Sequence, residues 1–250
     1  MALQEELEEQ GKWLFRYRGT LPLVILFIGV FFYILTKLHS ETFFLENTPY
    51  ETYYEMFCLF LSLIGLGIRV YTVAHTPANT SGRNVKEQVA DTLNTSGIYS
   101  IVRHPLYLGN FFMWAGPAFL TENMWFGILF YLIYWIYYER IMFAEEQFLR
   151  KKFGNIYTDW AEKVPAFFPS FRNFKTPNLP FSWKKVLKKE KNGFVAIFLI
   201  FAIFDILGKY IKNESNYNYF VIVTCILSIL MYAVLKYLKK HTNILNEEGR

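Results

Sequence analysis

Arg103, His104 and Pro105 stand together where a polar stretch rich in Asn, Ser and Gly gives way to an apolar run, and Glu145-Glu146 stand together where the next apolar run ends. Proline favours the first position of a helix and pushes the residue before it out of the α region. His104 is therefore expected to be the last extended residue before a helix whose start, at Pro105, Leu106 and Tyr107, offers its dipole and free amides to an anion. Arg103 adds a permanent charge with a planar fork suited to a carboxylate or phosphate. The same residues have a plainer use, because Arg and His beside a span also anchor it at lipid headgroups. Glu145-Glu146 beside Arg150, Lys151 and Lys152 equally fits a solvated, salt-bridged helix face.

The elements that position these residues follow from composition. Of the 250 residues, 53% are hydrophobic, 20% aromatic and only 19% charged, with the apolar residues in long blocks. That is a membrane composition, which predicts an all-α, polytopic helical bundle. Six blocks approach membrane length: Thr20–Leu38, Tyr53–His75, Pro105–Leu120, Asn123–Phe143, Gly193–Ile211 and Asn218–Tyr237. The third is interrupted by Gly116-Pro117 and is expected to bend or end early, while Gly109 and Gly116 permit a close neighbour. About six spans are therefore expected in a single integral membrane domain over 1–250, with a core at 79–172 and an additional hairpin at 193–238.

Basic residues collect before the first span (Lys12, Arg16, Arg18), after the second (Arg83, Lys86, Arg103), and twelve times from Arg140 to Lys191. The positive-inside bias places both termini and both long loops in the cytosol, making the protein multi-pass. An acidic Glu5–Glu9 run occupies the place of a signal peptide's basic region, so no cleavable signal is expected. A chain of this kind fits a bacterial inner membrane better than the endoplasmic reticulum. Cys58 and Cys225 fall inside spans and the four histidines are scattered, so neither disulfide nor metal is expected. Basic charge beside spans points to anionic lipid rather than nucleic acid.

Two polar segments have room for chemistry. Thr76–His104 reads as loop, with a short helix expected around Lys86–Leu93. The run "ERIMFAEEQFLRKKFG" keeps helical periodicity up to Gly154, so the fourth span is expected to continue unbroken past the membrane edge with Glu145 and Glu146 on it. The following "IYTDWAEKVPAFFPSF" reads as interfacial. Asp205 lies mid-span, and Lys209 one turn away is its expected partner. Arg69, near the cytosolic end of its span, either snorkels or faces an anionic ligand.

"TSGIYSIVRHPLYLG", followed by Glu145-Glu146 and "FGNIYTDWAEKVP", resembles the ordered signature of isoprenylcysteine carboxyl methyltransferases and related phospholipid methyltransferase-like membrane enzymes. The resemblance covers about Asn79 to Phe171. It implies S-adenosyl-L-methionine as methyl donor, a cofactor pocket on the cytosolic side, and a lipid or lipid-linked acceptor reaching it from the bilayer. It places the cofactor at Asp91, Thr92, Leu93 and Asn94, then Tyr99, then His104, Pro105, Leu106 and Tyr107, and finally Glu145, with Asn84 where some members carry a glutamine. Members acting on prenylcysteine carry an arginine one turn before the glutamate; this sequence has Ile141 there and Arg140 one residue off that register.

Methyl transfer from a sulfonium to an ionised oxygen needs alignment and exclusion of water rather than a strong base, which accords with the lack of a nucleophile triad. Charge complementarity then assigns Arg103 or His104 with the helix start to the cofactor carboxylate, Glu145 to its amino group or ribose, and Arg140 or Arg69 to the acceptor anion. Arg140 and Arg103 are thus the candidate catalytic residues. The favoured acceptor is the phosphate or carboxylate of a membrane lipid or lipid-linked molecule. Prenylcysteine carboxylate is the second acceptor and a phosphoethanolamine amine the third; an NADPH-dependent sterol-type reductase and a non-enzymatic transporter or scaffold are the alternatives.

Overall fold

A backbone inside lipid finds no water to bond, so apolar blocks of this length fold as helices. The computed structural model describes residues 2–39, 43, 45, 48–80 and 88–250. Among them are eight α-helices: α1 (Leu3–Arg16), α2 (Leu21–Leu38), α3 (Glu51–Ala74), α4 (Pro105–Leu120), α5 (Met124–Phe153), α6 (Asn155–Ala161), α7 (Trp183–Ile211) and α8 (Tyr219–His241). Short 3-10 turns cover Ile98–Ser100 and Phe171–Asn173.

Four helices, α2, α3, α7 and α8, are long and apolar enough to cross a membrane, against the six expected. The difference lies in α4 and α5. The 16 residues of α4 rise only about 24 Å, short of a hydrocarbon core of roughly 30 Å. The 30-residue α5 is long enough, but tyrosines and tryptophans with polar tips replace aliphatic residues along it.

The Gly116-Pro117 pair does not end α4, which runs through it to Leu120. Proline at 117 cannot donate to the Met113 carbonyl one turn back, and Ser62 Oγ of α3 donates to that carbonyl at 3.1 Å instead. The two helices meet backbone to backbone. A Cβ on Gly65 would lie 2.4 Å from Gly109 O, and one on Gly116 would lie 2.4 Å from Cys58 O.

Charged residues divide the bundle into two ends. At one end Lys37, buried, binds Glu51 at 3.1 Å and Glu122 at 2.6 Å, and Lys212 reaches Glu51 at 3.4 Å. These contacts join the turns α2–α3, α4–α5 and α7–α8. The carboxylates of Glu51, Glu55 and Glu122 come within 4.8 Å of one another there. The expected Asp205–Lys209 pair does not form: Lys209 binds Glu214 at 2.9 Å, and Asp205 accepts the backbone N–H of Asn218 at 3.0 Å. A backbone amide entering α8 competes better for the carboxylate than a flexible ammonium with its own glutamate nearby.

The opposite end holds α1, α6 and the polar segments. Ser182 N–H donates to Ala74 O at 3.1 Å and Ala78 N–H to Gly249 O at 3.0 Å, and Lys185 Nζ binds Thr76 Oγ1 at 2.9 Å. The short helix expected around Lys86–Leu93 is absent over 88–93, and residues 86 and 87 lie outside the described residues. Helix α1 covers the Glu5–Glu9 run, where no element was expected, and lies along the last turns of α5. Gly11 permits the approach, since a Cβ there would stand 2.1 Å from Arg140 O. Lys151 of α5 reaches Glu8 at 2.8 Å.

Candidate functional site

At the α6 end, α3, α4, α5, α7, the α1–α2 turn and residues 88–99 enclose a cavity of about 470 Å³. That is within the roughly 300–1,000 Å³ range of small-molecule and cofactor sites. Thr92, Leu93, Asn94, Tyr99, Arg103, His104, Pro105, Leu106, Tyr107 and Glu145 line it together. Residues drawn from a loop, a helix start and the overhang of α5 thus meet around one space. Asp91 borders it outside the lining and accepts a hydrogen bond from Asn79 at 3.0 Å. Asn84 lies outside the described residues.

His104 has the non-helical backbone its place before Pro105 predicts, with φ −118° and ψ 60°. The α4 start is poorer in free amides than its position suggests: Pro105 has none, and Tyr107 N–H donates to His104 O at 3.1 Å. Side chains supply the polarity instead. The buried imidazole bonds Glu146 through Nε2 at 2.9 Å and lies 3.6 Å from Glu145 through Nδ1. Burial favours its neutral form, but the bonds to Glu145 and Glu146 outweigh burial and raise its pKa above the ordinary histidine value. Arg103 binds Glu146 at 3.0 Å. Burial pushes the Glu146 carboxyl up, and the His104 hydrogen bond with the charges of His104 and Arg103 more than reverses this, holding it below the usual carboxylate range.

The adjacent glutamates therefore have separate roles. Glu146 stands behind the wall and ties Arg103 to His104, while Glu145 faces the cavity and accepts the Tyr107 hydroxyl at 2.6 Å. From Tyr107 a polar chain continues: Tyr134 OH donates to Tyr107 O at 2.6 Å, and Asn110 Nδ2 donates to Tyr138 OH at 3.1 Å. Asn110 Oδ1 in turn accepts from Arg69 at 2.7 Å.

The two arginines expected at the acceptor anion are placed differently. Arg69 lines the cavity, but Glu190 of α7 grips it through Nε and Nη2, both at 2.8 Å. Arg140 is not part of the lining; it contacts Glu139 at 3.2 Å, on the side of α5 that its register predicts. Ile141, fully buried, takes the inward position. The lining also includes residues that sequence reasoning did not single out for the site: Phe15 of α1, Arg18 and Gly19 of the α1–α2 turn, and Lys189, Glu190 and Asn192 from α7. Their signal was weak, since Arg18 and Lys189 read as ordinary flanking charge.

Two buried nitrogens of the lining, Gln88 Nε2 and Arg103 Nε, have no hydrogen-bond partner among the described residues. Unpartnered donors in a lining that also holds a carboxylate and aromatic rings suit a ligand that carries both charges and a heteroaromatic part.

An all-helical bundle of membrane-length helices, closed at one end around a cofactor-sized cavity that carries charged and polar side chains, defines the class. Within it, residues 55–156 match the family model described as phospholipid methyltransferase. A protein-S-isoprenylcysteine O-methyltransferase of Schizosaccharomyces pombe is 41% identical over 78 residues, which are 31% of this chain and 33% of that one. The nickel-cobalt-cadmium resistance protein NccN of Alcaligenes xylosoxydans xylosoxydans is 32% identical over 113 residues, 44% of this chain and 50% of that protein. The cobalt-zinc-cadmium resistance protein CzcN of Cupriavidus metallidurans is 28% identical over 142 residues, 57% and 63% of the two chains. The match thus spans from a third to under two thirds of these relatives' lengths. No solved structure matches the chain.

Proposed function

We propose that this protein is an S-adenosylmethionine-dependent membrane methyltransferase acting on an anionic oxygen, phosphate or carboxylate, of a lipid or lipid-linked acceptor. The observation that carries this reading is the convergence of Thr92–Asn94, Tyr99, His104–Tyr107 and Glu145 on one cavity. The family match over 55–156 and relatives named protein-S-isoprenylcysteine O-methyltransferase support the same reaction class. In this reading α4 and α5 join the four long helices in the bilayer and the cavity opens to the cytosol, as the basic flanks favour. The core at 79–172 holds the chemistry, and α7 of the additional hairpin closes one wall of the cavity.

When bound, S-adenosylmethionine supplies a methyl group activated by its sulfonium. The chain holds and shields. Arg103, fixed by Glu146, and His104 offer positive charge to the cofactor carboxylate, and Glu145 offers negative charge to its amino group or ribose hydroxyls. Asn94, Gln88 and Thr92 supply neutral hydrogen-bonding groups along the same wall, and Tyr99, Tyr107 and Trp160 supply ring faces suited to a cation. Buried Tyr107 and its neighbours keep water from the acceptor oxygen, which is already ionised and needs no base. Prenylcysteine carboxylate is one acceptor of this class; buried Ile141, where members acting on it carry arginine, speaks for a different grip on the anion.

Calorimetric titration of the detergent-purified protein with S-adenosylmethionine, S-adenosylhomocysteine and NADPH tests the reading. Binding of both adenosyl ligands, lost in Glu145→Ala, supports it. Binding of NADPH alone replaces it with a reductase.

A further inference from the structure

The family match ends at residue 156, yet the cavity wall at Thr92–Asn94 is secured from beyond it. Helix α3 ends at Ala74, and the chain leaving it is held from two directions. From the start of α7, Ser182 N–H donates to Ala74 O at 3.1 Å, and Lys185 Nζ donates to Thr76 Oγ1 at 2.9 Å and to Pro77 O at 3.0 Å. From the segment after α8, Arg250 donates to Ala74 O at 2.9 Å, to Thr76 O at 3.3 Å and to Pro180 O. The carbonyls that end a helix have no partner within it, and a guanidinium, with several donors in a fixed fork, can bind more than one of them.

Residues 242–250 are themselves seated on α7. Leu245 is buried, Asn246 accepts from Lys188 at 2.7 Å, and Ser182 Oγ donates to Glu247. The Arg250 side chain is only 6% exposed. Beside it, Gly249 adopts φ +72°, a left-handed backbone that favours glycine, and its carbonyl accepts the Ala78 N–H at 3.0 Å. Arg250 and Gly249 thus grip successive parts of the chain between α3 and the cavity.

The residue after Ala78 carries this restraint to the cavity. Asn79 has φ 56°, in the left-handed region that asparagine tolerates better than most residues, and its Nδ2 donates to Asp91 Oδ2 at 3.0 Å. Asp91 directly precedes Thr92, Leu93 and Asn94 of the lining, and Thr80, which follows Asn79, lines the cavity as well. Thr80 Oγ1 donates at 2.9 Å to Pro77 O, the carbonyl that Lys185 also holds. Building on the methyltransferase reading, we infer that Asn79 is a positioning residue for the cofactor wall and that the segment after α8, through Gly249 and Arg250, is the strap that holds Asn79 in place. The additional hairpin then serves the site twice: α7 closes one wall, and the chain leaving α8 braces the loop that forms another.

The test uses the full chain in detergent, read by amide hydrogen exchange over residues 88–94 without ligand and by calorimetry with S-adenosylhomocysteine. Asn79→Gly keeps the left-handed backbone and removes the bond to Asp91. It should speed exchange over 88–94 about fivefold or more and raise the S-adenosylhomocysteine Kd about three- to tenfold, as loss of a hydrogen bond to a carboxylate does. Exchange over residues 124–134 of α5 should stay unchanged. Arg250→Gln should reproduce both effects, with partial recovery in Arg250→Lys. Because the two residues act along one path, the double variant should fall short of the product of the single effects on Kd. Unchanged exchange over 88–94 in either variant, faster exchange spread equally into α5, an unchanged Kd in both variants, or fully multiplicative effects in the double variant overturns the inference. A wild type that does not bind S-adenosylhomocysteine, with exchange over 88–94 still responding to both substitutions, would instead remove the methyltransferase reading and leave the strap standing.

Discussion

His104 is wedged between two carboxylates, and their different orientations give different mutational signatures. Glu145 faces the cavity, so Glu145→Gln should weaken S-adenosylmethionine binding by one to two orders of magnitude, as loss of a charged hydrogen-bond acceptor does, with little change in Tm. Glu146 faces Arg103 and His104. Glu146→Gln should lower stability by about 1–3 kcal/mol and weaken cofactor binding only through the loosened Arg103 and His104; calorimetry and thermal unfolding separate the two. Sequence spacing shows two neighbouring acids and not which way each points. The His104 pKa is raised in the fold, so its contribution to stability is fully present below the unfolded value near 6.5 and is lost as pH rises through the folded value. Glu146 is lowered, so its contribution is lost as pH falls through its own folded value. A Tm profile against pH should therefore decline as pH rises above about 6.5, and His104→Gln should flatten that decline and also weaken the acid limb, because the His104 bond and charge help hold Glu146 low.

The α3–α4 pair carries both the α4 threshold and Arg69, so its packing sets the geometry of the cavity wall. A Cβ on Gly65 would stand 2.4 Å from the Gly109 carbonyl and the Met113 amide, both rigid backbone, while one on Gly67 meets nothing within 4 Å. Gly65→Ala should therefore cost about 1–3 kcal/mol by overpacking and shift Arg69 one turn on. Gly67→Ala should be neutral or stabilising by up to about 1 kcal/mol; thermal unfolding of the two variants compares them directly. The helix start at Pro105, the stop at Gly154 and the apolar blocks were legible in the sequence because each is a local signal. Helix α1 was not, because the glutamates around Leu7 and Gly11 concealed a stripe whose partner, α5, lies far along the chain. Nor was the Arg69–Glu190 grip, which joins positions 121 apart. Asp205 shows the converse error: a lysine at helical spacing is a neighbour, but the Asn218 amide and Glu214 decide the pairing.

The whole molecule is a bundle with two chemically different ends, and this makes its sidedness testable. One end gathers the turns before α3, before α5 and before α8 around Lys37, Glu51 and Glu122. The other gathers α1, the cavity, α6 and residues 242–250. If α4 and α5 span the bilayer with the four long helices, the two ends lie on opposite faces, and the basic segments around the cavity belong in the cytosol. Cys58 and Cys225, only 0% and 6% exposed, should give little background with a membrane-impermeant maleimide. Thr176→Cys, exposed at the cavity end, should then be labelled in inside-out but not right-side-out vesicles, and Asn216→Cys in the exposed α7–α8 turn should show the reverse. Labelling of both from the same face would mean that the bundle does not place its ends across the bilayer. Labelling of Thr176→Cys from the cytosolic face and of Asn216→Cys from the other would put the cavity end of the bundle at the cytosolic headgroup level, where a soluble cofactor and a lipid-anchored acceptor can both arrive.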